Sequence, residues 1–215
     1  MNHIPARILA APGRPLTRRA LAKLQTRQRV LNAAKALFTE RGYEGATIRD
    51  IAAAAGMSTG AVFASFSDKS DLFNEVIIAD YEATLDAMRE AAAREAGTAG
   101  ALSALFTVAY EFHLAQLPLA QAGISVSWSR SPAAEQRNRE GLRPMIGLVS
   151  DVLSRGVERG ELPHDLDVRL IGEMIWDSYL SNYRRAAYDG WALEALVDRL
   201  NDQIGVILAG SRKAA

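Results

Sequence analysis

Catalysis needs a nucleophile, a metal cluster or a phosphate cradle, and the sequence offers none of these. Cysteine is absent from all 215 residues, which removes thiolate chemistry, disulfides and cysteine-based metal sites. The three histidines, His3, His113 and His164, are too scattered to share a metal ion. There is no Gly-rich phosphate loop and no nucleophile elbow, and the carboxylates fall on polar helix faces, where charges are ordinarily solvated. The chain therefore reads as a non-enzyme with no cofactor and no metal. Its recognition chemistry concentrates in two places. One is the stretch from Thr47 to Phe66, built of small, hydroxyl-bearing and apolar residues. The other is an aromatic set on several helical patterns: Phe106, Tyr110, His113, Trp128, Trp176, Tyr179 and Tyr183. Aromatics at helical spacing are ordinarily core or interface residues. A body that only dimerised would not require so many with polar tips, so the alternative is the lining of a pocket for a hydrophobic or aromatic small molecule. Trp128, between two helical segments, and Tyr110 with His113, on one helix face, are the leading candidates.

Charge is balanced overall, 25 Lys and Arg against 25 Asp and Glu, but unevenly placed. Residues 1–73 hold eleven of the basic and five of the acidic residues, a net of +6 that leaves −6 on the remainder. A basic front on an acidic body fits a polyanion partner for the front. With 49% hydrophobic and 23% charged residues, the composition is that of an ordinary globular protein, not a disordered one. No run approaches the roughly 18 apolar residues of a membrane span, and no secretory core opens the chain. A soluble, cytoplasmic protein is the expectation.

The elements follow from periodicity and caps. No acidic residue precedes Glu40, and Pro5, Pro12, Gly13 and Pro15 interrupt the start. Residues 1–25 read as a flexible basic arm, with Arg14, Arg18, Arg19 and Lys23 as its candidate contacts to DNA backbone or minor groove. An unbound tail and an organelle transit peptide are the alternatives, although the pattern runs without a break into the first folded helix. From Thr26, the spacing of Val30, Ala34, Leu37 and Phe38 predicts a helix ended by Gly42. Thr47 and Asp50 form a capping-box pattern before a short second helix. Ser58 can cap a third, about Thr59 to Phe66, and Asp68 a fourth running from Lys69 to about Glu95. A fifth helix carries Leu102 to Leu114, and Pro118 and Gly123 bracket an uncertain segment. Pro132 to Gly160, Asp167 to Tyr188, and Leu193 to Leu208 complete an all-α fold of about nine helices. The division expected is a helix-turn-helix over 26–73 and a second helical domain over 74–210. Leu170, Ile171, Met174, Ile175, Leu196, Leu200, Ile204 and Ile207 are the candidate dimer contacts.

The strongest signal is the helix-turn-helix. Ala52 supplies the small residue where two crossing helices touch, and Gly56 tolerates the positive φ of the turn. Ile48, Ile51, Ala55, Met57 and Val62 close the core beneath it. The general pattern wants an apolar residue three after Val62 and meets Ser65, with Phe66 apolar instead. That departure, with Ala36-Leu37-Phe38, Arg41-Gly42-Tyr43, Thr47-Ile48-Arg49-Asp50-Ile51-Ala52, Gly56-Met57-Ser58-Thr59-Gly60-Ala61-Val62-Phe63 and Phe66-Ser67-Asp68-Lys69-Ser70-Asp71-Leu72-Phe73, resembles the tetracycline-repressor (TetR) family over residues 26–73.

The resemblance implies that the third helix enters a major groove and presents Thr59, Gly60, Ala61, Ala64 and Ser65. Such small residues favour methyl contacts and indirect readout. Thr47, Arg49, Ser58 and Lys69 would hold phosphates. Family members commonly carry tyrosine and histidine where this chain has Phe63 and Ser65, and Phe63 has no hydroxyl for a phosphate. The resemblance further implies a homodimer through the last two helices and a ligand pocket lined by the aromatic set. The function expected is a repressor that binds a palindromic operator and is released by a hydrophobic or aromatic effector. The alternatives are an activator, or a regulator or architectural DNA-binding protein without an effector.

Overall fold

The computed structural model describes residues 17–128 and 130–211. Nine α-helices account for nearly all of them, and no strand occurs among the described residues. They are α1 (Arg18–Gly45), α2 (Ile48–Ala54), α3 (Thr59–Phe63), α4 (Lys69–Ala93), α5 (Thr98–Leu114), α6 (Leu117–Ser127), α7 (Pro132–Glu158), α8 (Val168–Asp189) and α9 (Leu193–Gly210). The caps are side chains that satisfy the unpaired amides of a first turn. Ser58 accepts from Ala61, Asp68 from Asp71, Ser131 from Ala134 and Asp167 from Leu170.

Three elements differ from expectation. Helix α1 begins at Arg18, not near Thr26, because the Thr17 hydroxyl accepts from the Ala20 amide and caps it. Arg18, Arg19 and Lys23 therefore stand on exposed helical turns instead of a flexible arm, and Arg14 lies outside the described residues. Near its other end, Gly42 at φ 70° breaks the helical path. Helix α3 is shorter than expected, with Ala64 as its C-cap. The segment around Pro118 and Gly123 is a helix of 11 residues. Pro118 lies in its first turn, where a missing N–H loses nothing. At Gly123 a Cβ would come within 3.2 Å of Ile77 Cδ1, so the glycine lets α6 close on α4.

Two hydrophobic clusters form the interior. The first gathers Val30, Ala34, Leu37 and Phe38 of α1 with Ile51, Ala52, Val62 and Phe66, and reaches Leu72 to Ile77 of α4 and Leu119 of α6. The second joins Met88 of α4 to α5, α7, α8 and α9. Helix α4 thus belongs to both, and α6 packs along α1 while Leu119 enters the first cluster.

Most of the residues expected at a subunit contact are used inside the protomer. Ile171, Ile175, Leu196, Leu200 and Ile204 are buried in the second cluster and Ile207 packs against it. An amphipathic helix turns one broad stripe inward, so the outward apolar residues are its flanks. Leu170 (51% exposed), Met174 (43%) and Val206 (73%) face out of the protomer on α8 and α9.

Candidate nucleic-acid interface and ligand crevice

The exposed surface of α2 and α3 rests on a tightly tied turn. Ala52 is 2% exposed where the helices cross, and Gly56 has φ 66°. Two arginines of α1, which the sequence presents only as basic charge, are committed to holding this unit. Arg29 donates to the Ala55 carbonyl at 2.6 Å. Arg27 donates to the Ser65 carbonyl at 3.1 Å, pairs with Glu75 of α4 and lies 4.3 Å from the centre of the Phe66 ring. The recognition segment is thereby fixed to both α1 and α4.

Arg49, Ser58, Thr59, Gly60, Phe63 and Ala64 are exposed around this unit, while Ala61, Ser65 and Lys69 are half-buried. The Ser58 hydroxyl accepts from the Ala61 amide at 3.3 Å, which leaves its own proton for an outside acceptor. The Thr47 hydroxyl is already engaged: it accepts from the Asp50 amide at 3.2 Å and donates to the Asp50 carboxylate at 2.7 Å. Lys69 opens α4 with its ammonium 4.2 Å from the Tyr43 ring centre and 3.9 Å from the Glu44 carboxylate. Phe63, the last residue of α3, is 52% exposed, a large apolar ring facing out. Apart from Phe63 the face is small-featured, with hydroxyl and amide donors and the cations Arg49 and Lys69, groups suited to contact with phosphates and a groove floor.

A crevice lies where the two hydrophobic clusters meet. Ile77, Asp80 and Tyr81 of α4, His113 of α5, Leu119, Ala120, Gly123 and Ile124 of α6, and Leu180 with Tyr179 and Tyr183 of α8 line it. Its volume is about 20 Å³, room for roughly one water molecule. His113, Tyr179 and Tyr183 are thus brought together on its wall. Phe106, Tyr110 and Trp176 are buried in the row behind: their ring centres lie 4.9, 4.8 and 5.3 Å from that of Tyr179. The Tyr110 hydroxyl points away, donating to the Tyr179 carbonyl at 3.2 Å and accepting from Asn182. Trp128 is the correction: it ends α6 on the outside and is 92% exposed.

Sequence reasoning also missed the polar centre of this crevice. Asp80 accepts from Lys35 of α1 and from Gln116, and its carboxylate faces His113 Nε2 at 3.5 Å. Burial holds the His113 imidazole below its usual range, with Asp80 opposing and Lys35 adding to that shift, so the ring is neutral at pH 7. The detectable signal was a carboxylate placed three and four residues after Ile77 and Val76, on an apolar stripe. No group of three or more His, Cys, Asp or Glu suited to a metal ion occurs among the described residues.

A helix-turn-helix carried on an all-helical body defines the class: a DNA-binding regulatory protein. Residues 30–76 match the family described as bacterial regulatory proteins, tetR family. The HTH-type transcriptional repressor KstR2 of Mycobacterium tuberculosis is 31% identical over 157 residues, 71% of this chain and 76% of that protein. The fatty acid metabolism regulator protein of Bacillus subtilis is 25% identical over 192 residues, 81% and 95% of the two chains. The chain belongs to the tetR family of bacterial regulatory proteins. The fold agrees with the solved structure of FadR from Bacillus subtilis in complex with stearoyl-CoA, with a TM-score of 0.72 over 86% of this chain and 99% of that one, at 20% identity.

Proposed function

We infer that the protein is a homodimeric transcriptional repressor that binds a palindromic operator and is released by a small effector, hydrophobic or aromatic in character. The observation that carries this reading is the position of the crevice: its walls include α4 and α6, and both helices continue into the hydrophobic cluster that supports α2 and α3. Pockets for drug-sized molecules measure roughly 300–1,000 Å³, against about 20 Å³ here. An effector can therefore enter only by moving α4, α6 or α8, and a ligand that binds one arrangement better than another shifts the population between them. The names of the relatives, a fatty acid metabolism regulator and a protein solved with stearoyl-CoA, support an apolar effector body.

On this reading, residues 26–73 form the DNA-binding unit and 74–210 the sensing and dimerising unit, working beside the chromosome in the cytoplasm. Leu170, Met174 and Val206 would meet their copies in an isologous contact, setting two α3 helices about 34 to 36 Å apart for successive major grooves. Thr47, Arg49, Ser58 and Lys69 would hold phosphates while Thr59, Gly60, Ala61, Phe63, Ala64 and Ser65 face the groove. Arg14, Arg18, Arg19 and Lys23 would add backbone contacts.

Sedimentation of the full chain with a duplex from upstream of its own gene tests the reading, with and without a panel of hydrophobic compounds. The expected result is two protomers per duplex, dissociated by at least one compound. One protomer per duplex would overturn the dimer, and a complex that no compound releases would overturn the sensing.

A further inference from the structure

Asp80 is the one carboxylate lining the crevice, and its side chain is only 3% exposed. The protons around it can be assigned. The Asp80 carboxylate, 3.5 Å from Nε2 of His113, favours the tautomer with its proton on Nε2, which leaves Nδ1 as an acceptor. Nδ1 lies 2.9 Å from the Tyr179 hydroxyl and 3.1 Å from that of Tyr183, and the two hydroxyls are 2.7 Å apart. Two hydroxyl protons are shared within this triangle: one goes to Nδ1 and the other to the neighbouring oxygen. These three groups have only lone pairs left to offer a ligand. Of the lining side chains, the Tyr81 hydroxyl alone keeps a proton, since it makes no hydrogen bond among the described residues. Burial pushes its pKa up to about 12, so it stays an O–H. The wall is therefore rich in acceptors, with a buried negative charge at its centre.

Lys35 completes the arrangement. It lies on α1 one residue after Ala34 and two before Leu37, both in the core beneath the helix-turn-helix, and its ammonium is 5.2 Å from the Phe112 ring centre. Its side chain is 39% exposed, whereas Asp80 is buried. The two partners are unequal: Lys35 can withdraw into water, but a buried carboxylate that loses a donor must find another.

We propose that the crevice recognises an apolar molecule through a hydrogen-bond-donating hydroxyl or amide group, which binds Asp80 in competition with Lys35 and so releases the Lys35 tie between α1 and α4. The proposal rests on the effector reading above and names its chemistry. A hydroxyl or amide also has a lone pair for Tyr81. A terminal carboxylate would bring a second negative charge against Asp80 and is rejected, and an ether or hydrocarbon end leaves Asp80 with nothing in exchange for Lys35.

Two matched sets of probes test this by calorimetric titration of the full chain: 1-decanol, its methyl ether and decanoate, and 2-naphthol, its methyl ether and 2-naphthoate. Hydrogen bonds to charged groups are strong enough that, in at least one set, the hydroxyl compound should bind roughly tenfold or more tighter than both companions. In Lys35→Met the competitor is gone, and the same compound should bind roughly fivefold or more tighter than in the unaltered chain. In Asp80→Asn the preference of hydroxyl over ether should shrink to less than about threefold. Equal binding of all three compounds in both sets overturns the proposal, as does no binding by any, or unchanged or weakened binding of the hydroxyl compound in Lys35→Met. Circular dichroism accompanies each variant; if Asp80→Asn does not fold, Lys35→Met alone decides. Operator binding is measured on the same preparations. Intact operator binding without hydroxyl preference sinks this inference and leaves the regulator reading standing, whereas loss of both sinks the two together.

Discussion

Replacing Gly141 with alanine should destabilise the chain, although alanine is the better helix former. Gly141 sits inside α7 where that helix touches α4. A Cβ there would lie 2.6 Å from Ile78 Cγ1, 2.8 Å from Cδ1 and 3.0 Å from Cγ2. Ile78 is 6% exposed and β-branched, so its χ1 has little freedom to swing away. Overpacking of this kind costs about 1–3 kcal/mol, and three contacts at or below 3.0 Å put Gly141→Ala toward the upper end. Helix propensity returns about 1 kcal/mol, leaving a net loss of about 1–2 kcal/mol. Gly147 provides the control: it is in the same helix, with nothing within 4 Å of its would-be Cβ. Gly147→Ala should gain up to about 1 kcal/mol, so the two variants should differ by about 2–3 kcal/mol. At a fixed protein concentration, urea midpoints and melting temperatures should both show this order. For a chain of this size the melting gap is roughly 4–12 °C. Ile78→Ala in the Gly141→Ala background should remove the clash, and the pair should be non-additive. Equal stability of the two glycine variants would refute the close approach of α4 and α7.

Three further outcomes follow from the geometry. Thr47→Ala removes the side-chain half of the capping box on α2, the bond from the Asp50 amide to the Thr47 hydroxyl, and leaves the backbone half; it should cost about 1 kcal/mol of stability by denaturant titration, and no loss would mean that the hydroxyl cap contributes nothing. Lys69→Ala and Arg49→Ala should each weaken DNA binding at low salt and lower the salt slope by about one counterion, read by titration at several salt concentrations; an unchanged slope would remove that residue from the phosphate contacts. Arg159 beside it, then the hydroxyl and amide of Thr98, hold the Glu161 carboxyl at about 2, against an ordinary value of 4.5. A depressed acid stabilises the fold above its unfolded value and loses that effect as pH falls, so the gap in urea midpoint between the unaltered chain and Glu161→Gln should close between about pH 4.5 and 2. A gap as large at the acid end as at neutral pH would contradict this.

Local signals carried most of the fold into the sequence. Ser58, Asp68, Ser131 and Asp167 are caps whose partners lie three residues on, and Gly56 and Ala52 mark the turn without help from the rest of the chain. Of the residues expected on the exposed face of the third helix, Thr59, Gly60 and Ala64 are exposed, whereas Ala61 and Ser65 are half-buried and α3 ends at Phe63. The crevice was less legible because its central contacts are remote in sequence. Lys35 and Asp80 are 45 residues apart, and His113 and Tyr179 are 66 apart. Nothing local tells a basic helix residue that its partner is a buried carboxylate. Trp128 was misjudged for a related reason: a tryptophan at a helix end packs inward or outward according to a neighbour that periodicity does not supply. Helix α1 starts earlier than the apolar spacing from Thr26 indicates, because a run of basic residues resembles a tail while Thr17 caps a helix that begins among them.

The most direct test of the central claim, that the exposed face of α3 reads DNA, is fluorescence anisotropy of the full chain on a duplex from upstream of its own gene. The same titration is run on a scrambled duplex of equal length and on the Ala64→Glu variant. Ala64 is exposed and makes only the backbone contacts of a C-cap, so a carboxylate there leaves the fold intact and sets a negative charge against the phosphates. The account predicts tight, salt-sensitive binding that favours the upstream duplex and is lost in Ala64→Glu. Equal affinity for both duplexes, or a folded Ala64→Glu protein that binds like the unaltered chain, would contradict it.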